Sequence, residues 1–211
     1  VIRPYITYSE IRLQLGVLEK ELWLYRALNG RTIVFSKDIA EKSTTLTYGY
    51  DVALGIASII GKETAFGEAF HITSDESYTW KEILEIYLDT IEKKTGMRPK
   101  VLLLDKSPHL EWIGAKWQVI LDRYYNRRFD NSKIQQYIDT SQFVRTESGL
   151  ISCLESFLCH PQFKKMGWGI QGTYDRITGE WAPFSEISII KDCISYLLHR
   201  TVVTPKSKLS I

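Results

Sequence analysis

Between Thr79 and Gly96 the apolar residues Trp80, Ile83, Leu84, Tyr87, Leu88 and Ile91 recur at helical spacing and predict one long amphipathic helix. Thr79 and Glu82 stand at capping-box spacing, Tyr78 and Ile83 at staple spacing, and Gly96 with Pro99 ends the run. The same periodicity, more weakly, predicts a helix from Val17 with Leu18, Leu22, Tyr25 and Leu28 inward, stopped by Asn29-Gly30. Another covers Tyr50 to Ile60, with Val52, Ile56 and Ile59 on one side and Ala53, Gly55 and Ala57 keeping part of its surface flat for a neighbour. A helix is expected from Ser107-Pro108, with Trp112, Ile113, Trp117, Ile120 and Leu121 as its apolar surface. Asp130 can cap a short helix to Ile138, and Thr146 a longer one with Leu150, Ile151, Leu154, Phe157 and Leu158 inward. A last helix is expected from about Ser185 to His199. Residues 161–184, rich in Gly, Trp and turn formers, read as an irregular excursion pinned by Trp168 and Trp181, and the tail from Thr201 to Ile211 reads as polar and loose.

Strands are predicted at Val1-Ile2, ended by Arg3-Pro4, at Thr32 to Phe35, at Glu68 to Thr73 and at Lys100 to Leu104. Strands alternating with helices imply a parallel sheet, which is normally covered on both faces. Only Val1-Ile2 and Glu68 to Thr73 look like members of such a sheet, and two strands do not make a doubly wound layer. The rest of the sheet is therefore expected elsewhere, an expectation that the opening on Val1 rather than methionine supports.

A length of 211 residues, 44% apolar and 25% charged, suits a soluble globular chain with a real core. A net charge of +2 gives no basic field that would argue for nucleic acid. No apolar run reaches the length of a membrane span and no signal-peptide pattern opens the chain; a cytoplasmic protein is expected because its three cysteines read as free thiols, which fit a reducing compartment. Cys153, Cys159 and Cys193 fall in helical apolar stretches and read as buried free thiols; Cys159-His160 lacks a second ligand pair for a metal.

A literal Gly-x-Gly-x-x-Gly occurs at Gly167 to Gly172. A dinucleotide fingerprint needs a strand before it and a helix after it. Neither is predicted here, and a plain glycine-rich loop is expected. Arg123-Tyr124-Tyr125-Asn126-Arg127-Arg128 interleaves basic and aromatic residues and could meet phosphate, of a nucleotide or of RNA, although a solvated helix end is the commoner explanation. His71, within an apolar strand, reads as a core histidine.

Taken in order, Val1-Ile2-Arg3-Pro4, Leu46-Thr47-Tyr48-Gly49-Tyr50-Asp51-Val52-Ala53, Gly67-Glu68-Ala69-Phe70-His71-Ile72-Thr73-Ser74 and Asp130-Asn131-Ser132-Lys133 resemble the C-terminal half of the extended short-chain dehydrogenases, the NAD-dependent sugar-nucleotide epimerases and dehydratases. The resemblance implies an α/β fold, the last part of a Rossmann-type doubly wound sheet plus a mostly helical mixed α/β substrate lobe. It covers residues 1–160, with 161–211 as a variable C-terminal extension. It implies NAD or NADP and a nucleotide-sugar or related alcohol substrate for the whole enzyme, an N-terminal Rossmann half missing from this sequence as partner, and a possible homodimer. The family's Tyr-x-x-x-Lys pair is not found: Tyr8, Tyr124 and Tyr196 have arginine at that spacing, as Arg12, Arg128 and Arg200. No catalytic residue is therefore assigned, and these residues alone are expected to be inactive and to bind NAD only weakly.

By the same resemblance, Pro4, Ile6 and Thr7 pass the nicotinamide, while Tyr8, Arg12, Thr44 and Arg128 face the substrate. Four positions depart from the family: Ser9 replaces a glycine and Tyr50 an aspartate, and two more bear on ligand contacts. Ile6 replaces an asparagine whose amide would hydrogen-bond a phosphate, and Thr44 replaces a common arginine. Asp51 is expected to cap its helix rather than bind a ligand. These departures leave open a non-catalytic binding or scaffolding role.

Overall fold

The computed structural model of the chain describes residues 1–107 and 114–202. In chain order its elements are β1 (Ile2–Pro4), β2 (Ile6–Tyr8), α1 (Leu24–Leu28), β3 (Ile33–Ser36), α2 (Lys37–Ala40), β4 (Ser43–Thr44), β5 (Leu46–Tyr48), α3 (Gly49–Ile59), β6 (Phe70–Ile72), β7 (Tyr78–Thr79), α4 (Trp80–Thr95), β8 (Val101–Leu104), α5 (Lys116–Gln118), α6 (Thr146–Cys159), α7 (Trp168–Thr178) and α8 (Ile190–Thr201). A π turn, Val119–Arg123, follows α5. The helix expected from Ser107-Pro108 lies largely outside the described residues, as does the tail beyond Val202.

The strands form two-stranded ladders among the described residues. Three are parallel, β1 with β6, β2 with β5 and β3 with β8, and β4 with β7 is antiparallel. The pairing of Ile2 with Phe70 and Pro4 with Ile72 joins the two strands expected to belong to one sheet. Helix α3 lies between them in sequence and packs onto β6. A Cβ on Gly55 would lie 2.5 Å from Ile72 Cγ2, so the glycine sets that close approach. Val52, Phe70, Ile72, Ile134 and Phe143 form the core there, with Ile56 and Ile59 against it. β1 itself is exposed throughout, and so are Tyr50, Leu54 and Ile60 of the α3 region.

The larger core belongs to the helical lobe. α4 begins with the predicted capping box, Thr79 Oγ1 accepting from Glu82 N–H while Glu82 accepts from Thr79 N–H at 2.6 Å, and Gly96 ends it at φ +77°. All six residues of its predicted stripe are buried, and Tyr87 stacks on Trp23 at 4.7 Å. α6 packs against α4 through Leu150, Cys153, Leu154 and Phe157.

Several expectations are corrected. Ile6–Tyr8, where the sequence predicts no strand, forms one, because β5 offers it a parallel partner far along the chain. The helix expected from Val17 is helical only over Leu24–Leu28; before it, Ser9 with Arg12 and Leu15 with Leu18 close two tight turns. Thr146 does not cap α6: its hydroxyl donates to Leu46 O, and Arg145 holds the cap position. Asp51 accepts from Val144 N–H at 2.9 Å, tethering a distant loop instead of its own helix end. Of the cysteines, all free, Cys153 is buried, Cys159 exposed and Cys193 half-buried.

The excursion at 161–184 contains a regular helix, α7, built on the literal Gly-x-Gly-x-x-Gly. Gly169 and Gly172 face α8: a Cβ on Gly169 would meet Ser195 Oγ at 2.9 Å, and one on Gly172 would collide with the Tyr196 carbonyl. The glycines let two helices touch backbone to backbone, and this packing overrides their poor helix propensity. A buried ion network ties the hairpin to α1. Arg26 donates to Asp175 at 2.6 Å, Gln171 at 3.1 Å and Glu180 at 3.1 Å, while Arg31 reaches Glu186 at 2.8 Å. Trp168 is buried as expected, but Trp181 is half exposed under the Arg200 guanidinium, 4.3 Å from its ring centre.

Candidate functional site

Of the residues proposed to meet cofactor and substrate, Pro4 lies on β1, Ile6, Thr7 and Tyr8 on β2, and Thr44 on β4, with Arg12 and Arg128 in the segments beyond the strands. At the start of β2, Ser43 N–H donates to Asn126 Oδ1 at 3.0 Å, Arg127 N–H to Ser43 O at 2.8 Å, and Thr45 Oγ1 to Arg127 O at 3.0 Å. These bonds bring the 126–128 segment beside Thr44. Pro4 and Arg128 are exposed, Thr7 is half-buried, and Ile6 and Thr44 are buried, with no partner for the Thr44 hydroxyl among the described residues.

The basic-aromatic run divides in the fold. Arg123 is buried, donates to Gly16 O at 3.0 Å, pairs with Asp122 and lies over Trp80. Arg127 donates to Asp122 and to Leu121 O. Both serve the structure, and Arg128 is the arginine of this run left facing solvent. Tyr5 stacks near Phe129, which also meets His71 edge-on at 5.1 Å, so His71 is a half-buried packing residue.

Tyr8 does not face an open cleft. It is 2% exposed, and its hydroxyl points at Gly149 of α6, where any side chain would clash. Burial pushes its phenol pKa up, helped by Cys153 and Asp51 nearby. The phenol is therefore neutral and enclosed, in a position suited to packing.

At the other end of β2 a cavity of about 370 Å³ is lined by Ser9, Ile11, Arg12, Glu19, Lys20, Glu21 and Lys164. Tight turns shape its wall: Ser9 and Arg12 exchange backbone bonds of 3.0 and 3.1 Å, and Gly16 takes φ +61° against the Phe35 ring. Arg12 pairs with Glu19 at 3.3 Å on the exposed rim. Lys20 is almost fully buried, pairs with Glu21 at 2.5 Å and lies over the rings of Phe157 and Phe163. Burial alone would raise the Glu21 pKa, but Lys20 and the Lys164 N–H hold it below the ordinary value. The cavity size falls in the range of small-molecule sites. Three cations over two carboxylates leave a net positive lining that can hold an anionic, hydroxyl-rich ligand by charge-assisted hydrogen bonds.

Arg12 is thus the predicted residue with a cavity beside it. Ser9, Lys20 and Lys164 were not foreseen. Lys20 was hidden in a segment that reads as helix, and Lys164 arrives from the region that reads as irregular. Among the described residues no group of His, Cys, Asp and Glu could hold a metal. No helix is long and apolar enough to cross a membrane there.

No protein-family profile matches the chain, and no curated protein is similar to it in sequence. Solved structures are similar in fold. UDP-glucuronic acid 4-epimerase from Bacillus cereus, in complex with UDP-glucuronic acid and NAD, superposes with a TM-score of 0.53 at 18% identity, over 75% of this chain and 44% of that one. UDP-glucose 4-epimerase from Thermotoga maritima gives 0.52 at 16%, over 76% and 46%. An epimerase from Methanothermobacter thermautotrophicus gives 0.55 at 17%, over 74% and 42%. The chain therefore spans under half the length of the structures it resembles. The likeness and the parallel β1–β6 pair establish the fold: mixed α/β, matching the C-terminal part of the Rossmann-type epimerase architecture.

Proposed function

We propose that this chain supplies the substrate-binding part of an NAD(P)-dependent epimerase- or dehydratase-type enzyme acting on a nucleotide sugar or related alcohol. The observation that carries the proposal is the cationic cavity at Arg12, in a fold shared with structures that bind UDP-sugars and NAD. In this reading Arg12 and Arg128 meet the substrate's negative charge, and Pro4, Ile6 and Thr7 present backbone toward the nicotinamide. Tyr8 and Thr44 form the packed floor behind the ligand. The cofactor's glycine-rich turn and the Tyr-Lys pair belong to a partner half that completes the sheet along β1.

Calorimetric titration of the chain with UDP-glucose and UDP-glucuronic acid tests this. Saturable binding is expected, weakened about tenfold by Arg12→Ala, the loss of one charge-assisted contact of about 1.4 kcal/mol. Absence of binding, or binding indifferent to Arg12, overturns the proposal. NAD is expected to bind the isolated chain only weakly, and micromolar NAD binding would falsify the assignment of the cofactor turn to a partner half. A second reading, a non-catalytic binding protein, is favoured by Ile6: its buried side chain gives no hydrogen bond where the family has an amide. Binding without turnover, after the partner half is added, selects it.

A further inference from the structure

The cavity at Arg12 has two ends that differ in exposure and charge. At the rim, the Arg12 and Glu19 side chains are 47% and 45% exposed, and their 3.3 Å pair is open to exchange. Further in, the Lys20 and Glu21 side chains are 5% and 13% exposed and stand 2.5 Å apart. Each of these cations is matched by a carboxylate, so the charge in excess belongs to Lys164, an exposed residue. The positive field therefore sits at the mouth, and the inner wall is neutral as a whole.

The inner pair is fixed in place. Lys20 lies 5.6 and 5.8 Å from the ring centres of Phe157 and Phe163. Glu21 accepts the Lys20 ammonium and the Lys164 N–H on one oxygen, Oε1, and its carbonyl accepts from Gln171 Nε2 at 3.1 Å. Against the effect of burial, Lys20 and the Lys164 N–H keep the Glu21 carboxyl ionised, below its ordinary range. Its second oxygen, Oε2, accepts from no donor among the described residues, and Lys20 gives Glu21 one of its three N–H groups. The lining thus offers a donor and an acceptor side by side. A hydroxyl donates and accepts, so it satisfies both groups at once. A carboxylate only accepts: it would meet an ammonium already neutralised, face a like charge and lose its water on entry.

Resting on the reading of this cavity as the substrate site, we infer that Lys20 and Glu21 determine its specificity. They select a neutral, hydroxyl-bearing ring at the inner end of the ligand and reject an anionic one, while Arg12 and Lys164 hold the phosphates. The hexose and the ribose of a nucleotide sugar share this chemistry, and the test separates them. Calorimetry on the full chain compares UDP-glucose with UDP-glucuronic acid and with UDP-glucose lacking both ribose hydroxyls. With the hexose inside, UDP-glucuronic acid binds about tenfold more weakly than UDP-glucose; with the ribose inside, the ribose-deoxygenated compound does, as expected of a site built to bond a hydroxyl. The double variant Lys20→Met/Glu21→Gln removes both charges together and keeps an acceptor for the Lys164 N–H. In it, that loss should shrink to less than about threefold, with circular dichroism unchanged. UDP-glucose binding with neither analogue weakened, tighter binding of UDP-glucuronic acid, or a loss undiminished in the double variant overturns the inference and leaves the proposed function standing. Absence of UDP-glucose binding to the parent chain overturns both.

Discussion

Replacing Arg26 with methionine keeps most of its volume and removes a guanidinium with no solvent exposure. Asp175, equally buried, would lose its 2.6 Å partner and keep only the Tyr196 hydroxyl at 2.8 Å and a long 3.5 Å contact to Arg31. Gln171 would lose one bond and Thr32 O another, while Glu180 retains Thr32 and Thr178. Breaking one side of a buried ion pair costs about 3–5 kcal/mol, mainly because the remaining charge is stranded. A Coulomb term of about 4 kcal/mol, at an effective dielectric constant near 20, is of the same size. In urea, with a slope of about 2–3 kcal/mol/M, the midpoint should fall by about 1–2 M. The double variant Arg26→Met/Asp175→Leu removes the stranded charge and should recover part of the loss. Hydrogen exchange should show α7 and α8 losing protection before α4. A single variant within 1 kcal/mol of the parent, or a double variant no more stable than the single, would refute the reasoning.

Gly172→Ala should destabilise by about 2 kcal/mol despite alanine's better helix propensity, because its Cβ meets the Tyr196 backbone; thermal unfolding reads this. Thr79→Ala removes the capping box of α4 and should cost about 1 kcal/mol in a denaturant titration. The hairpin should also loosen in acid. Burial would raise the Glu180 pKa, but hydrogen bonds from Thr32 and Thr178, together with Arg26, hold it below the ordinary 4.5. A depressed carboxylate stabilises the fold above its unfolded pKa and loses that contribution as pH falls through the folded value. Exchange protection of 168–201 should therefore decline below pH 4.5 in the parent chain, and much less in Glu180→Gln.

The elements that the sequence announced are those whose signals are local. The capping box, stripe and C-terminal glycine of α4 lie within the helix they define, and the order of motifs placed β1 and β6 in one sheet. What was not legible depends on partners distant in the chain. Ile6–Tyr8 is a strand only because Leu46–Tyr48 lies beside it, and three residues cannot announce a ladder alone. Gly169 and Gly172 argue for a loop until Ser195 and Tyr196 are seen against them. The site divides in the same way. Arg12 was legible only through the family resemblance. The buried Lys20 and the arrival of Lys164 depend on turns at Ser9–Arg12 and Leu15–Leu18, which leave no period in the sequence.

This division bears on the chemistry. Tyr8, which matches the family pattern, and Thr44, which departs from it, are both buried, and their hydroxyls find no partner among the described residues. Buried hydroxyls without partners are costly, at about 1–3 kcal/mol each. Charge is carried instead by the rim, where Arg12 and Glu19 remain half exposed and are held by a 3.3 Å pair weak enough to exchange. A ligand phosphate can displace Glu19 from Arg12 without stranding a buried charge, because the Glu19 carboxylate stays in water and still accepts from Gln14. No such exchange is open to Arg26 or Arg123, whose partners are fixed inside the fold. In the proposed reading, solvent access and a replaceable partner suit Arg12, the arginine that lines the cavity, to meet the ligand.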